Sequence, residues 1–203
     1  MKKMTRNYEN PLVRRSKEII AKAFFERLQE NPYKKIRISD ICKRAGVSRT
    51  TFYTHYDVVE DIPYYYFEDW VIGLEEIIDD LLAKEATPEQ VSFASSEWAL
   101  RYWRDHVDEF KNLQTAGMES ALLKLFYKAT VLFIDKFKNQ YGTFSNPVIL
   151  DCLYSHGSVS LLSSLKIWIN TGIEFSVEEM AKIISILHPV NTYELLYQEI
   201  EKK

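Results

Sequence analysis

One glycine constrains this chain more than any other residue: Gly46, in the run IRISDICKRAGVSRTTFYTHY at residues 36–56. Ile38, Ile41, Cys42 and Ala45 recur at helical spacing, and Gly46 follows them where a left-handed residue ends a helix at little cost. Val47 is placed to fill the angle after the turn, and Ser48 is a good N-cap for a second helix opening near Arg49. In that second helix Phe52 and Tyr56 lie four apart and share one face. Arg49, Thr50, Tyr53 and, at the margin, Thr54 and His55 are left to face outward. The spacing predicts a helix-turn-helix.

The outward side chains suit a nucleic-acid duplex. Arginine bridges guanine O6 and N7 or clamps a phosphate, threonine offers a hydroxyl and a methyl, and tyrosine and histidine donate to phosphate oxygens. No acidic residue falls between Arg44 and Tyr56. The alternative is a helical pair in an ordinary α-domain whose exposed face happens to be polar. Charge favours DNA: residues 1–56 hold 14 Lys and Arg against 5 Asp and Glu, and the remainder holds 12 against 24. A whole-chain net charge of −3 therefore conceals a basic head on an acidic body, as expected where one end alone meets phosphates. Lys2, Lys3, Arg6, Arg14 and Arg15 extend the basic character upstream, either as a solvated tail or as a groove-seeking arm.

The apolar helix IIAKAFFERL, the spacer before Ile38, the AGVS turn and the segment TTFYTHY together resemble the TetR family of bacterial regulators over about residues 12–70. The resemblance implies a three-helix DNA-binding head, residues 1–57, and a helical effector-binding and dimerisation body, residues 58–203. Position by position, it places Ser39 at the opening of the first motif helix, Arg49, Thr50 and Thr51 in the groove, and Tyr53 and His55 on phosphates. Arg37, Ser48 and Thr54 complete the expected DNA-binding set. One departure stands out, because Val59 occupies the place where the family usually shows a lysine. Lys43 and Arg44 are candidates to supply that charge.

The head is also legible without the resemblance. Ile20, Phe24 and Leu28 recur every four residues with Ile19 and Ala23 beside them, a stripe able to cover the helical pair. Beyond residue 57 no segment alternates with period two, and 6 Gly and 6 Pro punctuate the whole chain, so the fold class is all-α. A long helix is expected from Val58 to Ala83, with Pro63 near its start. Thr87-Pro88-Glu89-Gln90 reads as a capping box with proline at the first helical position. A short helix around 107–113 and one from Gly117 to Tyr141 should follow, broken at Gly142, Asn146 and Pro147.

The next helix, about 147–171, is apolar on two sides, and Ser176–Glu179 opens another by a capping box. Two such helices suggest a two-fold pairing between copies, with Cys152, His156, Val159, Ser163, Met180 and Ile184 at the interface; burial of both faces within one monomeric bundle is the alternative. Aromatic residues make up 14% of the chain. Trp70, Trp98, Tyr102, Trp103, Phe126, Tyr127 and Tyr154 are the candidates to line an effector pocket, although aromatic residues at helical spacing commonly serve as core.

Enzymatic readings find little support. His55, His106, His156 and His188 are scattered without metal-ligand spacing, and no glycine-rich phosphate loop or nucleophile elbow occurs. Neither a metal nor a cofactor is expected. Cys42 and Cys152 are too far apart for a CxxC centre and suit a reducing cytoplasm, the expected location. No leader-like stretch is apparent, and the apolar runs are interrupted by charge. The expected function is a homodimeric transcription regulator, a repressor, binding a pseudo-palindromic operator under small-molecule control. An effector-independent architectural or cell-cycle DNA-binding protein, or a helical protein-interaction module, remains as the alternative.

Overall fold

The computed structural model describes residues 11–141, 144, 146–187 and 198. Among them ten α-helices and one 3-10 turn occur, and no strand. Lys2, Lys3, Arg6, Gly142 and His188 lie outside the described residues. Contacts divide the chain into two compact units, one reaching to Tyr66 and including Lys111–Ala121, the other formed by Phe67–Phe110 and the chain from Leu122 onward.

The first unit opens with α1 (Pro11–Glu30), a 3-10 turn (Tyr33–Lys35), α2 (Ile38–Ala45), α3 (Arg49–His55) and α4 (Asp61–Tyr66). Ile20, Ala23, Phe24 and Leu28 of α1 are buried as the periodicity requires, joined by Ala21 and Phe25. Ile19 is not part of that stripe; at the edge of the four-residue series it is 38% exposed. The α1 stripe closes over Ile41 and Cys42 of α2 and Phe52 of α3, making one small core.

The helix expected over 58–83 is two. Asp61 accepts from the backbone N–H groups of Asp57 and Val58, both at 3.2 Å, and this holds residues 57–60 as a turn ahead of α4. A second interruption falls at Phe67, where Trp70 N–H reaches back three residues to the Phe67 carbonyl and tightens the ladder. Phe67 is fully buried and packs on Trp103 at 4.7 Å between ring centroids. The break thus coincides with the burial of a bulky ring, and Pro63, in the first turn of α4, removes no helical hydrogen bond there.

The second unit contains α5 (Glu68–Ala83), α6 (Pro88–Asp105), most of α8 (Glu119–Tyr141), α9 (Pro147–Asn170) and α10 (Val177–Leu187); α7 (Val107–Thr115) lies between α6 and α8 in the chain. Both capping boxes form: Thr87 N–H donates to Gln90 at 2.8 Å and Gln90 N–H to Thr87 at 3.3 Å, and Ser176 and Glu179 reciprocate likewise. Gly73 permits the close approach of α5 and α6, since a Cβ there would lie 2.4 Å from the Trp98 ring. Lys136 of α8 reaches Asp79 at 2.5 Å and Glu75 at 3.4 Å on α5. Partial burial pulls its ammonium pKa down, but the two carboxylates outweigh this and leave it raised.

By length and composition α9 is apolar enough to cross a membrane, because Asp151 and Lys166 lie toward its two ends and the middle is uncharged. The expectation that charge interrupts every apolar run too early for a span is therefore not met at α9. One face of α9 is buried through Leu153, Gly157, Ser158, Leu162, Leu165, Trp168 and Ile169.

Candidate nucleic-acid interface and interior cavity

The turn between α2 and α3 has the geometry its sequence dictates. Gly46 sits at φ 67°, ψ 29°, and the N–H groups of Gly46 and Val47 both return to the Cys42 carbonyl. This is a left-handed helix stop that a side chain would strain. Ser48 caps α3 by accepting from Thr51 N–H at 3.0 Å, while its hydroxyl also meets the Thr51 hydroxyl at 2.9 Å. Phe52 is fully buried and Tyr56 nearly so, the Tyr56 hydroxyl donating to the Lys17 carbonyl of α1. The inner side of α3 is thereby fixed to α1.

The outer side holds most of the expected set. Arg37, Ser39, Ser48, Arg49, Thr50, Tyr53 and Thr54 are exposed, and Thr51 and His55 are half-buried. Thr54 turns its hydroxyl back to the Thr50 carbonyl at 2.9 Å. Thr51, bonded to Ser48, is likewise occupied in shaping the helix start. Arg49, Thr50 and Tyr53 are left as the exposed polar groups at the centre of α3. Val59 is 9% exposed, so the position where a lysine was looked for is an apolar seat.

Arg44 does not supply the missing charge. Its guanidinium forks onto both oxygens of Glu30 at 2.8 and 2.9 Å, with Glu26 at 3.7 Å, tying α2 to the end of α1. The hydrogen bond from Arg44 holds the Glu30 carboxyl below its ordinary pKa, and the Arg44 value rises in return. Lys43, like Arg44, is exposed. A second brace, unseen in the sequence, links the Tyr33 hydroxyl to Glu60. Burial first and Glu60 second push the Tyr33 pKa up. These partners stand 14 and 27 residues apart, and no local pattern marks them.

Within the second unit a cavity of about 40 Å3 is lined by residues of α5, α6, α8, α9 and α10. Of the seven expected pocket aromatics, Trp70, Trp103 and Phe126 line it. The other four are placed elsewhere. Trp98 lies in a separate groove between α5 and α6 and donates its indole N–H to the Trp70 carbonyl at 3.1 Å. Tyr102 stacks on His106 at 4.3 Å, Tyr127 is 41% exposed, and Tyr154 gives its hydroxyl to Asp135 at 2.7 Å. Ser95, Ser96 and Thr130, which the aromatic pattern does not reveal, complete the polar part of the wall.

The expected pairing face also divides. Cys152, His156, Val159 and Ser163 are exposed along one side of α9. Met180 and Ile184 are instead buried, because α10 packs chiefly on α6, and Ile184 lines the cavity. The outward apolar residues of α10 are Ile183, Ile186 and Leu187. Among the described residues no cluster of His, Cys, Asp and Glu is arranged to hold a metal ion.

A TetR transcriptional regulator from Streptococcus agalactiae 2603V has a solved structure that superposes with a TM-score of 0.56 at 24% identity, covering 87% of this chain and 95% of that one. The chain has the TetR-regulator fold. Dihydroxyacetone kinase operon activator DhaS aligns with a TM-score of 0.52 at 20% identity, over 89% of this chain and 97% of that one. In sequence, the HTH-type dhaKLM operon transcriptional activator DhaS of Lactococcus lactis subsp. lactis (strain IL1403) is 37% identical over 65 residues. That match spans 32% of this chain and 33% of the curated relative, about a third of either. No family model matches the chain.

Proposed function

We propose that this chain is a DNA-binding transcription regulator that reads a pseudo-palindromic operator as a homodimer. The supporting observation is α3 itself: its inner face is pinned by Phe52 and Tyr56, and its outer face presents Arg49, Thr50 and Tyr53 on the basic part of the chain. In this reading Arg49 and Thr50 meet base edges. Tyr53, His55 and Ser39 contact phosphates, and Arg37 and Lys43 add positive charge beside them. Ser48, Thr51 and Thr54 set the start and pitch of the helix that carries them.

Pairing runs along the exposed stripe of α9, where Cys152, His156, Val159 and Ser163 are joined by Ile167, and along the outward edge of α10 through Ile183 and Ile186. Two copies then present two α3 helices to inverted half-sites. A small molecule in the body, bound unequally by the DNA-competent and incompetent states, controls occupancy. Work of this kind is done on the chromosome, in the cytoplasm, and requires no catalysis.

Repression by operator occupancy is the first reading, carried by the TetR resemblance. Activation is the second, favoured by a specific observation, since the curated relative sharing 37% identity over 65 residues is an operon activator. A reporter under the selected operator separates them: expression rising on deletion of the gene supports repression, and expression falling supports activation. Binding itself is tested by titrating duplexes against salt. Affinity should fall steeply with ionic strength and favour one sequence over bulk DNA. Equal affinity for every duplex would leave the architectural alternative, and no duplex binding at all would leave an interaction module.

A further inference from the structure

The cavity wall is nearly all carbon, yet three polar atoms on the residues that line it have no hydrogen-bond partner among the described residues. They are the indole nitrogens of Trp70 and Trp103 and the hydroxyl of Ser95. All three residues are almost completely buried, at 2%, 0% and 2% exposure. The neighbouring hydroxyls are differently placed: Ser96 donates to the Ser92 carbonyl at 2.8 Å and Thr130 to the Phe126 carbonyl at 2.9 Å. Unpartnered buried donors are costly and uncommon, so three on residues that line one small cavity call for a cause; a further unpartnered hydroxyl, that of buried Ser92, lies on the same helix as Ser95 but away from the lining.

The three atoms specify a chemistry. An indole N–H only donates, so Trp70 and Trp103 ask for acceptors, and the Ser95 hydroxyl can donate to the same atom or accept from its neighbour. No carboxylate, ammonium or guanidinium stands on the wall, so an ionised ligand would be buried without a counter-charge. A free volume of about 40 Å3 admits water but falls short of the roughly 150 Å3 that holds a benzene ring. A ring-sized ligand therefore enters only as side chains of the wall give way.

Resting on the effector reading of this cavity, we propose that it takes an uncharged, compact, largely apolar molecule bearing a hydrogen-bond acceptor such as a carbonyl or ether oxygen. The donors available to the two lone pairs of that oxygen are the indole N–H groups of Trp70 and Trp103 and the hydroxyl of Ser95. The competing physical account is that the indoles satisfy one another through their ring faces. Trp70 and Trp103 stand 5.4 Å apart, nearly edge to face, in an arrangement that permits a weak N–H to ring contact.

Three probes of similar size separate these accounts on the full-length protein: acetophenone, isopropylbenzene and benzoate, followed by calorimetry and thermal shift. Acetophenone should bind and raise the melting temperature, about tenfold more tightly than isopropylbenzene, and benzoate should not bind. Ser95→Ala should weaken acetophenone several-fold and leave isopropylbenzene unchanged. Trp103→Phe, which keeps a ring and removes the donor, should act in the same direction. Equal affinity for acetophenone and isopropylbenzene, preference for benzoate, or no binding of acetophenone up to its solubility would overturn the assignment. Duplex binding by the protein without probe is scored separately. Its absence alongside selective acetophenone binding would remove the regulator reading while supporting the donor set.

Discussion

The head and the body of this chain place their proposed functional chemistry on opposite sides of their helices. In α3 the apolar residues Phe52 and Tyr56 face inward as anchors, and the polar residues Arg49, Thr50 and Tyr53 face out. In the body the polar groups of interest, Ser95 and the indoles of Trp70 and Trp103, are turned in, and exposed α9 and α10 offer apolar and small residues instead. A surface that reads DNA must be polar where it is exposed. A chamber for an uncharged ligand must be apolar and buried, with few donors. On the proposed reading, the same helical material gives a reading surface in one unit and a ligand chamber in the other.

The largest expected effects test whether these regions are separable. Phe52→Ala should cost the head about 3–5 kcal/mol and abolish duplex binding. All four tryptophans lie at position 70 or beyond, so tryptophan emission reports the body alone and should stay unchanged in that variant. Trp103→Ala is its counterpart, altering emission and the melting of the body by a similar amount. Loss of both signals together in either variant would break the comparison.

Smaller effects sharpen it. Gly46→Ala meets no steric obstacle but must hold a left-handed backbone, at about 1–2 kcal/mol, seen as faster hydrogen exchange in α2 and α3. Ser176→Ala removes the cap of α10 and should cost about 1 kcal/mol in the body, with duplex affinity of the folded protein unchanged. The mildest effect concerns Glu30. Its folded pKa lies below the ordinary 4.5, so the contribution of its pairing with Arg44 is present above that value and is lost as pH falls through the lowered folded value. Glu30→Gln should flatten this acid loss in α1 and α2 exchange rates while leaving tryptophan emission alone.

How much could be read in advance follows the same division. In the head, Gly46 and Ser48 act through neighbours within four residues, and the four-residue spacing of Phe52 and Tyr56 marks their shared inner face, although the partner that face meets, α1 with the Lys17 carbonyl, lies far off in sequence. The Arg44–Glu30 and Tyr33–Glu60 braces join residues far apart in sequence, and neither left a local mark. In the body, periodicity shows that Trp70, Trp98, Tyr102 and Trp103 are apolar-facing, but several helices compete for each face. Trp70 and Trp103 reached the cavity, whereas Trp98 was drawn onto α5 by the space at Gly73 and Tyr102 stacked on His106. Met180 and Ile184 were read as interface residues because their helix is amphipathic. Periodicity marks a buried face without saying that α6, rather than a second copy, covers it.

The central claim is that α3 reads sequence, and selection from a pool of randomised duplexes tests it most directly. The wild-type chain should enrich two inverted half-sites. Arg49→Ala and Thr50→Ala should each change the preferred base at particular positions, while Tyr53→Phe weakens every duplex alike. A pool that remains random after selection, or variants that all shift affinity uniformly with no change in preferred sequence, would contradict it.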